Sequence, residues 1–318
     1  MNTASQKILI VDLMHQSISK MLEDAGFIPD YRPDITPQEV HEIIAEYDGI
    51  IVRSKLEMNK ELLDKAVNLK FVARAGAGID KVDYPYLTEK GIKLVNAPEG
   101  NRDAVGEHVI GMLLSLFHNL NRGNREVKHG KWDREGNRGM ELRGKTVGIF
   151  GYGFMGRSVA RKLQGFDCRV IAYDKYKSEV DLDWVEKVDL DTFFEETEIL
   201  SIHVPLTSET KFLFDLDYLK RFKNLRLIIN SSRGEVLKLS AVNALLADGT
   251  LIGAALDVLE NEKINKLSPE EQLEFDKLAN NLQVMLSPHV AGWTFESYER
   301  INEVLVSKLV KEGLAQVR

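Results

Sequence analysis

One stretch in the middle of the chain constrains the fold more than any other. Lys145-Thr-Val-Gly-Ile-Phe150 is an apolar run of strand length, and Gly151-Tyr-Gly-Phe-Met-Gly156 is a glycine-rich turn opening a helical pattern. Arg169-Val-Ile-Ala-Tyr-Asp174 is then a second strand ending in an acid. A strand, a tight turn and a helix in that order aim backbone N–H groups and the positive end of a helix dipole at one spot, which suits a pyrophosphate. In such a turn Gly151 allows the sharp bend, Gly153 lets the backbone approach phosphate oxygens, and Gly156 lets helix and strand pack closely. Phe154 and Met155 begin the helix. Asp174, 18 residues beyond Gly156, stands where a carboxylate binds both ribose hydroxyls of adenosine. A negative charge there repels a 2′-phosphate, so NAD is expected in preference to NADP.

The motif begins near residue 145, so the first hundred or so residues must build something else. At 318 residues the chain has room for one large or two medium domains. Hydrophobic content of 44% and charged content of 29% are those of a soluble globular enzyme. A net charge of −7 argues against a general binder of nucleic acid or anionic membranes. No apolar run approaches the roughly 20 residues that span a bilayer. The segment from Met1 to Lys7 lacks the charged and apolar regions of a signal peptide, so a cytoplasmic location is the default. Cys168 is the only cysteine, which excludes an internal disulfide, and its place just before a strand marks it as core. No metal site is expected.

Strand and helix patterns alternate from the beginning. Lys7–Asp12, Gly49–Arg53, Lys70–Arg74 and Ile92–Asn96 read as strands, with helical patterns at 15–25, 37–46, 59–67 and 83–90. Such alternation predicts a parallel sheet covered by helices. Residues 101–129 form one long helical pattern. A second alternating series starts at 145, with later strands at 199–204, 225–230, 252–257 and 282–286 and a helix from Leu239 to Ala247. Residues 261–281 are charged and irregular, with a helix expected from Glu270 to Leu278, and a final helix covers about 296–313.

Open α/β sheets bind ligands beyond the carboxyl ends of their strands. In the first half these ends hold Arg53-Ser54 and Arg74-Ala-Gly-Ala-Gly78. The small residues of the second loop are expected to leave backbone N–H groups free as a nest for a carboxylate, and Arg53 could grip an anion bidentately. In the second half, His203-Val-Pro-Leu-Thr207 ends one strand, Asn230-Ser-Ser-Arg-Gly234 the next, Asp257 another and Ser287-Pro-His289 the last. An arginine, a glutamate and a histidine near three neighbouring strand ends make the set needed for hydride transfer to a keto acid. The arginine binds the carboxylate or polarises the carbonyl, the histidine moves the proton, and the glutamate keeps it charged and oriented.

Over nearly its whole length, and with these motifs in order and spacing, the chain resembles the D-isomer-specific 2-hydroxyacid dehydrogenases. The resemblance implies two Rossmann-like α/β domains with an active site in the cleft and closure during turnover. The flavodoxin-like substrate domain would comprise 1–98 plus 296–318, and the NAD-binding domain 99–295. It implies Arg233, Glu262 and His289 as catalytic residues and Asp257 as ligand of the nicotinamide carboxamide. Val204, Pro205, Ser231, Ser232 and Gly292 join His203, Thr207 and Asp174 around NAD. Ala75, Gly76 and Ala77 would hold the substrate carboxylate, with Arg74 adding charge and Ser54 and Asn101 nearby. Within the family, Val52-Arg-Ser54 and the 74–78 loop most resemble the 3-phosphoglycerate dehydrogenases of serine synthesis, in which Arg53 would contact the phosphate. Lys131-Trp132 resembles a dimer arm, implying a homodimer through the nucleotide-binding domain.

Three departures bear on this reading. Lys263 follows Glu262 where the family usually has proline, and the 261–281 excursion is long, so Glu260 competes for the catalytic role. Trp293 follows the histidine where small residues are usual in phosphoglycerate enzymes, and would narrow the pocket. No regulatory domain follows residue 318, so a short form without serine feedback is expected. A glyoxylate or hydroxypyruvate reductase would not need Arg53. A further alternative, from another class, is an NAD-gated corepressor scaffold.

Overall fold

The computed structural model describes residues 5–314; the ends of the expected substrate domain, 1–4 and 315–318, lie outside the described residues. The chain divides into two compact units, Met1–Arg102 with Trp293–Arg318, and Asp103–Gly292. The divisions fall at 102–103 and 292–293, where the sequence put them at 98–99 and 295–296.

In the first unit the strands are β1 (Lys7–Ile10), β2 (Ile28–Tyr31), β3 (Gly49–Val52), β4 (Phe71–Arg74) and β5 (Lys93–Asn96). Between them run α1 (Ser17–Asp24), α2 (Pro37–Ile43), α3 (Lys60–Lys65) and α4 (Tyr84–Glu89). Helix α5 (Pro98–Phe117) follows, then α6 (Leu120–Lys128). The second unit continues with β6 (Thr146–Phe150), α7 (Phe154–Leu163), β7 (Arg169–Tyr173), β8 (Val185–Lys187), α8 (Leu190–Glu196), β9 (Ile199–Ile202), α9 (Leu216–Leu219) and β10 (Leu227–Asn230). It ends with α10 (Leu239–Ala247), β11 (Gly253–Leu256), α11 (Pro269–Ala279) and β12 (Val284–Leu286). The last helix, α12 (Phe295–Lys311), belongs to the first unit.

Both sheets are wholly parallel, ordered β2-β1-β3-β4-β5 and β12-β11-β10-β9-β6-β7-β8. Parallel strands covered on both faces need apolar side chains at consecutive positions. Strand β1 obeys this: Ile8 and Ile10 face α1 and α12, and Leu9 faces α2, α3 and α4. In the second unit Ile229 packs with α5 and α7, and Ile228 with α8 to α11. In each sheet the strand order reverses once, between β1 and β3 and between β6 and β9. Crevices outside such reversals are where doubly wound sheets bind ligands.

Two strands escaped the sequence pattern. β2 reads Ile-Pro-Asp-Tyr and β8 Val-Glu-Lys; both are edge strands with little to bury. The single helix expected over 101–129 is two helices. Asn119 takes a left-handed conformation, φ 52°, and the carbonyl of Phe117 accepts the N–H of Met140 at 2.8 Å instead of continuing a helical ladder. The 261–281 excursion does carry a helix, begun by a capping box between Ser268 and Glu271. Cys168 is only partly buried; it packs against the second unit's core, and burial pushes its thiol up, away from reactivity. No helix among the described residues is long and apolar enough to cross a membrane.

Helix α12 supplies Ile301, Leu305, Val306 and Leu309 to one core face, beside Ile18 and Leu22 of α1 and the strands. Leu305 has no exposure. Leu305→Ala should lower the unfolding free energy by about 2–5 kcal/mol, read from urea denaturation, because the enclosed site cannot collapse around the lost atoms.

Candidate active site

The glycine turn has the shape a dinucleotide requires. Gly151 sits at φ 94°, and a Cβ on it would lie 2.7 Å from the carbonyl oxygen of His203. A Cβ on Gly156 would lie 2.0 Å from the carbonyl oxygen of Gly151, so that helix can approach only because the residue is glycine. Gly153 is the N-cap of α7, without a capping side chain, and faces open space. The first N–H groups of α7 are thus available to an anion. Phe154 is exposed and Met155 partly buried at the same helix start.

Across the strand reversal, His203 follows β9 and is buried, with Nε2 2.7 Å from Ser201 Oγ and Nδ1 without a partner among the described residues. Ser231 Oγ, after β10, is likewise enclosed without a partner. Polar atoms left bare beside a glycine cradle fit a bound polar group such as NAD. The turn beyond His203 is stiffened by Thr210, whose hydroxyl donates to Pro205 O at 2.6 Å and lies 3.1 Å from that of Thr207. Val204 lies against Gly151. Asp174 lies at the end of β7 and accepts the N–H groups of Tyr152, Tyr176 and Lys177 at 2.8, 2.9 and 3.0 Å. Its carboxylate therefore ties the glycine turn to its own loop.

At the other half of the same sheet, Nδ1 of His289 lies 2.8 Å from Oε1 of Glu262. The competing Glu260 points elsewhere: it accepts the N–H of Leu239 at 2.5 Å and lies 3.6 Å from Lys238 Nζ. His289 is held in a left-handed conformation, φ 55°, unusual for a residue with a side chain. Its N–H donates to the carbonyl of Asp257 at 2.8 Å. The Asp257 carboxylate accepts from Ser287 Oγ at 2.6 Å and from the N–H groups of Val290 and Ala291 at 2.9 Å each. His108 of α5 adds a contact, Nε2 to Ser287 Oγ at 2.9 Å. Burial pushes the Asp257 carboxyl up, but bonds from His108, Ser287, Ala291 and Val290 outweigh it and hold the carboxyl below its ordinary value. Its side chain has no exposure, so a carboxamide could reach it only by replacing one of these donors. A cavity of about 390 Å³ lies beside the pair, lined by Leu259, Glu262, Ile264, Phe275, Leu286 and His289.

Arg233 follows β10, the strand beside β11, and its Nη1 donates to Ser232 O at 2.7 Å. Ser232 donates both N–H and hydroxyl to Asn230 Oδ1, at 3.0 and 2.7 Å. Gly234 is pressed against Leu259, whose carbonyl oxygen a Cβ would meet at 1.8 Å. The loops after β10 and β11 thus touch, which no larger residue would allow. Gly292 ends the unit.

In the first unit, the expected nest at 75–77 is partly closed. Ala75 N donates to Val52 O at 2.8 Å and Gly76 N to Arg74 O at 2.9 Å, so only Ala77 and Gly78 offer their N–H groups. The Arg74 guanidinium folds back over Gly76, with Nη1 3.3 Å from Ala75 O. Asn96 Nδ2 holds Ala77 O at 2.9 Å, and Asn101 Oδ1 is enclosed without a partner. Arg53 and Ser54 lie at the reversal between β1 and β3. Asp12, buried at the end of β1, accepts the N–H groups of Arg53, Ser54 and Lys55 at 2.7, 3.3 and 3.1 Å. The Arg53 guanidinium stacks on Trp293, 3.5 Å from the ring centre. Asp12 and His108 hold the segments that carry candidate residues, Asp12 through the 53–55 loop and His108 through Ser287; neither spacing nor residue type reveals these partners in the sequence.

Burial pushes His203 down to about 3 from 6.5. Between those values the unfolded chain binds the proton and the folded protein does not, so stability falls as pH falls below about 6.5. The loss is about 1.4 kcal/mol per pH unit. In His203→Gln the drop in unfolding free energy from pH 7 to pH 5, measured with urea, should shrink by about 2 kcal/mol. An unchanged drop would mean the histidine is not held neutral by burial.

Comparison with known proteins agrees with this geometry. The family described as D-isomer specific 2-hydroxyacid dehydrogenase, NAD binding domain, matches residues 110–291. A hydroxypyruvate reductase of Thermotoga maritima is 33% identical over 309 residues, covering 97% of this chain and 99% of that protein. A D-3-phosphoglycerate dehydrogenase of Archaeoglobus fulgidus is 30% identical over 306 residues, covering 96% of this chain; the chain spans only 56% of that relative's length. The crystal structure of a D-lactate dehydrogenase from Aquifex aeolicus, complexed with NAD and lactic acid, matches with a TM-score of 0.80 over 96% of each chain at 26% identity. The chain belongs to the D-isomer specific 2-hydroxyacid dehydrogenase family and is an NAD-dependent oxidoreductase.

Proposed function

We propose that the substrate is a D-2-hydroxy acid with a second anionic group, best met by 3-phosphoglycerate and its keto partner 3-phosphohydroxypyruvate. The observation that carries this reading is Arg53. Its guanidinium has no hydrogen-bond acceptor among the described residues, although it is partly buried at a strand reversal, the position where such sheets bind ligands. Burial works against the Arg53 charge more than the nearby Asp12 carboxylate supports it, so an anion at its N–H edge would be favoured.

The chemistry follows from the second unit. NAD, when bound at the glycine cradle, is the hydride acceptor. His289 takes the hydroxyl proton at Nε2, because Nδ1 is turned to Glu262. Glu262 fixes the ring, and Arg233 orients the carboxylate and the reacting oxygen. Ala77 and Gly78 offer N–H groups to the substrate. On this reading the enzyme serves serine synthesis in the cytoplasm as a homodimer, whose contact would cover Trp132, 79% exposed. A second reading, a reductase of unphosphorylated hydroxypyruvate or glyoxylate, is favoured by the near full-length match to a hydroxypyruvate reductase.

NADH oxidation with 3-phosphohydroxypyruvate, hydroxypyruvate and glyoxylate separates the two. The phosphorylated acid should be preferred, and Arg53→Ala should lower kcat/KM for it by about 100-fold, the loss of one charge-assisted bidentate contact. Equal activity on all three acids, unaffected by Arg53→Ala, would leave a dehydrogenase of small keto acids. His289→Ala should abolish turnover by about 10²–10⁴-fold while leaving NADH binding, followed by fluorescence titration, intact. Turnover that survives would remove His289 from the proton-transfer role, whereas NADH binding without turnover in the wild type would point to the NAD-gated scaffold instead.

A further inference from the structure

The side chain of Arg53 rests on aromatic rings from the other end of the chain. Its guanidinium carbon lies 3.5 Å from the centre of the Trp293 ring and 5.6 Å from that of Tyr298. The two rings are 4.9 Å apart, tilted at 52°. Both are fixed from behind. Thr294 caps α12 by accepting the N–H of Ser297 at 3.1 Å, and Ser297 Oγ accepts the N–H of Thr294 at 2.9 Å, so Trp293 leaves the helix in one direction. Tyr298 meets His15 edge to face at 5.9 Å, and the His15 carbonyl is held by Asn302 Nδ2 at 3.1 Å. On the backbone side, the Asp12 carboxylate pins Arg53 itself.

A guanidinium has two faces and an edge. Its donors all lie in the plane of the edge, and its faces attract π-systems. Stacking at 3.5 Å occupies a face and leaves the edge. It also removes the torsional freedom of a long side chain, which otherwise opposes each hydrogen bond formed. We infer that Trp293, backed by Tyr298, is a specificity-determining positioning residue: it holds the Arg53 guanidinium flat with its N–H edge turned to receive a phosphate monoester. This rests on the reading of Arg53 as the ligand of the substrate's second anion. It gives Trp293 a role beside the one expected from sequence, the narrowing of the pocket.

The test is a double-mutant cycle on Arg53→Ala and Trp293→Ala, with Trp293→Phe as the conservative variant. Steady-state kinetics are measured with 3-phosphohydroxypyruvate and with hydroxypyruvate. Trp293 is exposed, so its loss should not unfold the protein. Trp293→Ala should raise KM for the phosphorylated acid by about 3- to 30-fold, the range of a cation–π contact, with kcat within about 2-fold. KM for hydroxypyruvate should barely change. Trp293→Phe should recover most of the loss, and in the Arg53→Ala background Trp293→Ala should add nothing. If Arg53→Ala reduces the preference for phosphate but Trp293→Ala acts equally on both acids, or equally with and without Arg53, the positioning role falls and the phosphate reading stands. A lower KM in Trp293→Ala would show the indole to be an obstruction, and likewise overturn it. If Arg53→Ala leaves the preference untouched, both readings fall together.

Discussion

The carboxylate of Asp257 has no exposure and takes hydrogen bonds from Ser287, Val290 and Ala291, so the segment carrying His289 is wrapped around it. His289 sits inside that wrap at φ 55°, a conformation that costs a residue with a side chain about 1–3 kcal/mol. Bonds to a charged acceptor contribute about 1.5–3 kcal/mol each, enough together to hold the strained turn. The geometry that brings Nδ1 within 2.8 Å of Glu262 thus depends on a residue that touches neither ring nor carboxylate of the pair.

The same device occurs at two other strand ends. Asp12 closes β1 and gathers the three N–H groups that follow β3; Asp174 closes β7 and gathers one from the glycine turn after β6 and two from its own loop. In each case an acid at the end of one strand fixes the loop of its neighbour. A parallel sheet makes this natural, because all its carboxyl ends, and so all its functional loops, emerge on one edge. Loops without regular hydrogen bonding need other acceptors, and a carboxylate can serve several donors at once.

Much of this was legible because buried parallel strands must be continuous apolar runs. β1, β3, β6, β9 and β10 announce themselves that way, and the glycine turn after β6 fixes the nucleotide crevice by spacing alone. What stayed hidden lacked that signal. β2 and β8 are edge strands with polar or proline residues. The break at Asn119 depends on the return of residues 138–140, a tertiary contact no local pattern encodes. Glu260 and Glu262 are two residues apart and alike in type; only the path of the loop decides that one caps α10 and the other meets the histidine. At 75–77, glycine and alanine promise free N–H groups without saying which the sheet will claim.

The two arginines of the first unit show how position changes what a charge can do. Arg74 ends β4, and its guanidinium folds over Gly76 with a donor turned to the carbonyl of Ala75. Its neighbour in the sheet, Arg53, lies one strand closer to the reversal, with its face against an indole. The chain as a whole carries a charge of −7, so its long-range field repels the anions it must bind. At physiological ionic strength that field decays within about 8 Å, and contacts inside that distance decide affinity. An acidic enzyme for acidic ligands therefore needs cationic and N–H edges that are already aimed before the ligand arrives. On the reading proposed above, the helix start at Gly153, the donors of Ala77 and Gly78 and the stacked edge of Arg53 would meet that requirement, each by fixing backbone or ring rather than by adding charge.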